Sequence, residues 1–124
     1  MKLHSDLNEV IFTFDEEYEQ FKAELNGIIF LCDEVNDEHK QYALDLANAY
    51  EEKLPDIIEF MLPDIEEFFE VDDVEVIRNS LGVPQIDLNM GMLTYCEHTL
   101  DDTHLIDVEF RGVFTEFDLM GIDG

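Results

Sequence analysis

The chain has 124 residues, the length of one domain spanning 1–124, and 46% of them are hydrophobic, with ten Phe and four Tyr to build a core. Its 32 Asp+Glu against six Lys+Arg leave a net charge of −26, yet the apolar content argues against disorder. Six scattered bases cannot displace the counterions of a nucleic acid, and the anionic face of a membrane would repel the protein.

No apolar stretch approaches the ~18–20 residues of a membrane span; the longest clear run is Gly27–Cys32. The N-terminus, Met1-Lys2-Leu3-His4-Ser5-Asp6, lacks an apolar secretory core, and two cysteines, Cys32 and Cys96, make no disulfide scaffold. A cytoplasmic protein with a cationic partner is expected.

In chain order, Val10-Ile11-Phe12-Thr13-Phe14 alternates as a strand, with Val10, Phe12 and Phe14 on one face. After the acidic turn Asp15–Glu19, the every-second-residue run Phe21, Ala23, Leu25, Gly27, Ile29, Leu31 predicts a partner strand. Glu16–Leu25 also contains good helix formers, which makes a helix the competing reading there.

The period then changes. Asp37 is the expected cap of a helix carrying Ala43, Leu46, Ala47, Tyr50 and Leu54 on one stripe. Pro55 suits the first turn of a second helix with Ile58, Met61, Leu62, Ile65 and Phe68 or Phe69 inward, and Pro63 predicts a kink or break near Leu62. A short third helix follows, with Asp73 as cap, Val76, Ile77 and Leu81 inward, and Gly82 as stop.

Strands return at the end. Ile86, Leu88 and Met90 alternate, Gly91 marks a turn, and Met92–Cys96 resumes. His104–Phe110 places Ile106, Val108 and Phe110 on one face, and Arg111-Gly112 turns the chain into Val113–Leu119. The expected class is α+β: an antiparallel sheet of four to six strands from the N- and C-terminal thirds, covered on one face by two or three central helices.

Phosphate-cradling glycine loops, His-Glu-x-x-His and nucleophile elbows are missing, and neither Ser5 nor Ser80 sits where it would be activated. Cys96, His98 and His104 could share a strand face, but this spacing fits a small buried Cys and loop-positioning histidines better than a zinc centre. The acidic loops lack the ligand order of a helix-loop-helix calcium site. No catalytic residue, cofactor or metal is assigned, and the chain is not expected to be an enzyme.

The collective charge is the stronger signal. Leu54–Ile77 holds nine acids and no base, and Asn79–Phe110 holds six more, again without a base. Solubility alone needs a net charge magnitude of only about 2–8 in a small domain. A larger excess destabilises the folded state through self-repulsion, which a cationic partner would relieve. Crowding of this kind is also expected to raise the carboxylate pKa values on average. The expected partner-binding residues are Asp64, Glu66, Glu67, Glu70, Asp72, Asp73 and Glu75, with Asp101 and Asp102 as a second site.

The element order resembles small acidic immunity proteins of bacterial contact-dependent inhibition and other polymorphic toxin systems. The likeness lies mainly in the last third: Leu81-Gly-Val-Pro84-Gln-Ile86, a polar loop, His104-Leu-Ile106-Asp-Val108, the Arg111-Gly112 turn, Phe114, and Ile122-Asp123-Gly124. This resemblance transfers no active-site residue. It implies a protein that neutralises one cognate cationic toxin, often a nuclease, by occluding its basic surface. Two other functions fit the composition: an acidic nucleic-acid mimic that blocks a DNA- or RNA-binding protein, and a small hydrolase or metal-binding domain.

Overall fold

The computed structural model describes residues 6–101 and 103–123. After a 3-10 turn at Leu7–Glu9, the chain forms β1 (Thr13–Asp15), β2 (Gln20–Leu25) and β3 (Ile28–Cys32). It continues through α1 (Asp37–Phe69), α2 (Val74–Ser80), β4 (Gln85–Asp87), β5 (Met92–Tyr95), β6 (Leu105–Arg111) and β7 (Glu116–Asp123). The strands make one sheet in sequence order. Every neighbouring pair is antiparallel except β3 and β4. That pair is parallel because the two helices carry the chain back to the end where β3 began, as a crossover connection does. The N- and C-terminal thirds thus share a sheet, as expected.

Seven strands form where four to six were expected. The extra one comes from Asn26-Gly27, which takes left-handed φ values of 51° and 83°. This two-residue turn suits a hairpin. It splits the alternating run and pairs Leu25 with Ile28, so the inward residues of β3 are Ile28, Phe30 and Cys32. At the start of the chain Val10 is buried outside any strand, while Ile11 and Phe14 are exposed.

The expected break near Leu62 does not occur: α1 is a single helix of 33 residues containing both Pro55 and Pro63. At 1.5 Å per residue it is ~50 Å long, enough to contact β2 and β3 as well as β7. Ile57, Ile58, Met61 and Ile65 are all buried across the proline segment. Each such side chain stabilises by about 1.5–3 kcal/mol, so the four together match or exceed a penalty of ~3 kcal/mol for each of the two prolines. Both prolines are exposed, as are Glu51 and Glu59, whose carbonyls lose their helical donors and can bond water instead. The α1 cap is Asn36, not Asp37, its side chain accepting from the His39 N–H at 2.8 Å.

The Asp73 cap of α2 and the burial of Ile77 and Leu81 agree with the sequence reading, whereas Val76 and Met90 are exposed. Gly91, at φ 67°, has a structural reason: a Cβ there would lie 2.7 Å from the Phe110 carbonyl oxygen. The last strand starts later than Val113. Residues 112–115 turn instead, with Phe114 left-handed at φ 57° and its ring buried against Tyr50 and Phe110. None of the described helices is long and apolar enough to cross a membrane.

Candidate functional site

Asp64, Glu66 and Glu67 lie exposed on the last turns of α1. Glu70 is its C-cap, left-handed at φ 59° and ψ 34°, with its N–H donating to the Glu66 carbonyl at 3.0 Å. Asp72 is exposed in the connection. Asp73 then caps α2 by accepting from the N–H groups of Glu75 (3.0 Å) and Val76 (3.4 Å). All seven predicted acids of this stretch are therefore at the surface.

Local physics sorts them. Asp73 and Glu75 stand at a helix N-terminus, where negative charge is favourable. Glu66, Glu67 and Glu70 stand at the negative end of a long helix dipole, and the last turn of α1 holds no base. Glu70 also occupies a backbone region that L-residues other than Asn and Asp visit at a cost. These three acids oppose the stability of the helix that carries them.

Asp101 belongs to the same end of the molecule; Asp102 lies outside the described residues. The exposed Phe68 ring meets the His104 ring edge-on at 4.8 Å, and Phe69 meets His98 at 5.8 Å. Asp101 accepts from the His104 backbone N–H at 3.0 Å and contacts His104 Nδ1 at 2.6 Å. Desolvation pushes the Asp101 carboxyl up, but these contacts and the Thr103 N–H outweigh it and hold the pKa below the usual value. Asp101 and the acidic end of α1 therefore adjoin through His104 and Phe68.

His98 is buried, and both of its ring nitrogens are committed. Nδ1 accepts from the Leu100 N–H at 3.2 Å, so Nε2 carries the hydrogen donated to the His104 carbonyl at 2.6 Å. It holds the Glu97–Thr103 loop in place. Cys96 is exposed, not buried as expected, and desolvation together with Asp107 and Glu97 pushes its thiol up, away from a reactive thiolate. Among the described residues no group of three His, Cys, Asp or Glu side chains could hold a metal ion.

Two concavities escaped the sequence reading. One, of about 430 Å³, is a groove between the end of α1 and β7, lined by Asp64, Glu67, Phe68, Met120 and Ile122. The other, also about 430 Å³, lies between α1, α2 and the β2–β3 turn and includes Tyr50, Glu51 and Arg78. The Tyr50 and Tyr95 hydroxyls bond each other at 2.5 Å. Burial pushes Tyr50 up to about 12 and Tyr95 well above its ordinary value, so neither exchanges protons near neutrality.

The expected average rise of the carboxylates is not seen: among the described residues Asp15, Asp101 and Asp118 fall and Asp107 rises. Asp107 rises through desolvation and the facing Asp123, against a 2.6 Å hydrogen bond from the Thr94 hydroxyl. Asp15 falls through backbone N–H donors and Lys22, and Asp118 falls through its two hydrogen bonds from Arg111. At these sites local donors defeat the general repulsion. No family model, curated protein or solved structure matches the chain.

Proposed function

We propose that this chain is an immunity-type inhibitor that binds and neutralises a cognate cationic toxin domain, a nuclease, in the bacterial cytoplasm. The observation that carries the reading is the end of α1. Glu66, Glu67 and Glu70 crowd the negative end of a 33-residue helix without a base in its last turn, an arrangement unfavourable in the free protein. A partner's Lys and Arg side chains convert that cost into attraction. The same cations would hold nucleic-acid phosphates in a nuclease, so covering them blocks its substrate. Charge complementarity also raises the encounter rate above the neutral ~10⁵–10⁶ M⁻¹s⁻¹ and suppresses neutral partners.

The test compares the wild type with a variant carrying Asn at positions 64, 72 and 73 and Gln at 66, 67, 70 and 75. Asn at 73 keeps the α2 cap. Both proteins are used as bait in extracts of the organism that encodes the chain, and each retained protein is expressed beside them. The expected result is a basic partner whose toxicity the wild type suppresses, with an association rate that falls steeply with salt and drops at least about tenfold in the variant. A partner of acidic or neutral charge overturns the proposal, as does a basic one bound equally well by the variant.

A further inference from the structure

We propose that β7 is the docking edge: an extended, basic segment of the partner adds to it as an eighth strand, its side chains entering the groove beside α1. The inference rests on the inhibitor reading for the charge of the partner. Its geometry comes from the sheet.

The two ends of the sheet differ. β1 closes one end with three residues, whereas β7 closes the other with eight, and among the described residues no strand pairs with its free side. Long bare edges invite another chain to pair. The direction of the backbone groups follows from the ladder. Phe110 donates to the Gly91 carbonyl, toward β5. Residues 105, 107 and 109 therefore turn their groups toward β7, because alternate residues of a strand face opposite neighbours. Their partners in β7 are Asp123, Gly121 and Leu119, which leaves the N–H and C=O of Met120 and Ile122 directed at the free side.

Those two residues also line the groove with Asp64, Glu67 and Phe68. An added strand would bond to the outward groups of Met120 and Ile122, the usual mode of strand addition. Its side chains on the α1 face would cross an apolar floor of Phe68, Met120 and Ile122 before reaching two carboxylates. Lys and Arg match that sequence of surfaces, with an aliphatic stem and a charged head. The nearby base on this hairpin, Arg111, is already bonded to Asp118 at 2.8 and 2.9 Å. A second copy of the chain is a poor occupant, since it would set a net charge of −26 against another −26.

The probe is a fluorescein-labelled decapeptide alternating Lys and Val, titrated into the full chain with anisotropy and amide hydrogen exchange as readouts. An alternating Glu and Val peptide is the control. The Lys peptide is expected to bind and to slow exchange at the Met120 and Ile122 amides at least about tenfold, the scale of one protected backbone hydrogen bond. Met120→Pro removes an outward N–H at a position where an edge strand tolerates proline, and weakens binding about tenfold or more. Met120→Val binds like the wild type. Should Met120→Pro not fold, the exchange pattern of the wild type decides alone.

Binding without protection of those two amides overturns the docking edge, as do equal affinity of a folded Met120→Pro, no binding, or concentration-dependent self-pairing through β7. In each case the seven-site acidic variant reports separately. If it still loses the basic partner, the inhibitor reading survives without the edge. If it keeps that partner, the inhibitor reading fails while the exchange data still judge the edge.

Discussion

Replacing Glu70 by Gly should stabilise the free protein. Glu70 sits at φ 59° and ψ 34° as the C-cap of α1, a conformation that costs a residue with a Cβ about 1–2 kcal/mol. Glycine adopts it without that penalty, though its looser unfolded chain returns about 0.4–1 kcal/mol. The backbone gain is therefore about 0.5–1 kcal/mol, or roughly 2–5 °C in Tm for a domain of this size. Removing the carboxylate from the negative end of the helix adds a second contribution of the same sign that fades with salt. Glu70→Gln isolates it, since the amide keeps the Cβ and loses only the charge. Thermal and urea unfolding of the three proteins at pH 7, in low and high salt, separates the two causes. The Gly variant should stay ahead of the wild type in high salt, and the Gln variant should not. If Glu70→Gly lowers Tm in both conditions, Glu70 is stabilising and the argument that its position is unfavourable collapses.

Asp107→Asn should raise stability at pH 7. The folded-state pKa of Asp107 lies above its ordinary value, so ionisation at neutral pH opposes folding, and the gain should vanish as pH falls and the wild-type group protonates. Asp15 and Asp118, with lowered values, behave oppositely: their contribution exists above the ordinary carboxylate pKa and is lost as pH drops through their folded values. Tyr95→Phe should cost about 1–2 kcal/mol by leaving the buried Tyr50 hydroxyl without its partner. Adding Tyr50→Phe should restore much of that loss, and additive effects in the double-mutant cycle would rule the hydroxyl pair out. Pro63→Ala should raise Tm, because an exposed helix position regains an N–H donor for the Glu59 carbonyl; a lower Tm would mean that the proline positions the helix. Moderate salt at pH 7 should raise Tm by screening the excess of negative charge, since the few surface ion pairs contribute only about 0–1 kcal/mol each. A fall in Tm on adding salt would contradict the self-repulsion argument.

The class of the fold was legible because alternation and helical spacing are local. The inward faces of β6 and α2 follow from Ile106, Val108 and Phe110, and from Ile77 and Leu81, all buried. Errors arose where one signal masked another. The alternation runs unbroken through Asn26-Gly27, hiding a turn that the dipeptide itself announces. Pro63 speaks for a break, but burial of Met61 and Ile65 on either side decides for continuity. Phe114 looks like a strand residue, yet packing against Tyr50 holds it in a left-handed turn. The acidic stretch Asp64–Glu75 was visible as composition. Its adjacency to Asp101 was not, because Phe68 and His104 meet only when the sheet places the β5–β6 loop under the end of α1.

The same packing explains why charge and open edge occur together. For α1 to reach from β2 and β3 to β7 it must run past both prolines without a break, and its last turns then overhang the final strand. A helix ended at Leu62 would leave Asp64, Glu66 and Glu67 on a loop, free to move away from one another and from β7. Held in one helix, Asp64 and Glu67 are fixed along the groove beside β7, whose side away from β6 carries the outward backbone groups of Met120 and Ile122. Mutual repulsion among fixed charges is larger than among mobile ones, so the continuous helix increases the electrostatic cost of the free state. It also removes most of the ordering that a partner would otherwise have to impose on binding. Among the described residues, then, a fixed acidic helix end lies beside a strand with one unpaired side. This costly juxtaposition in the free domain is what the proposed extended cationic ligand would relieve.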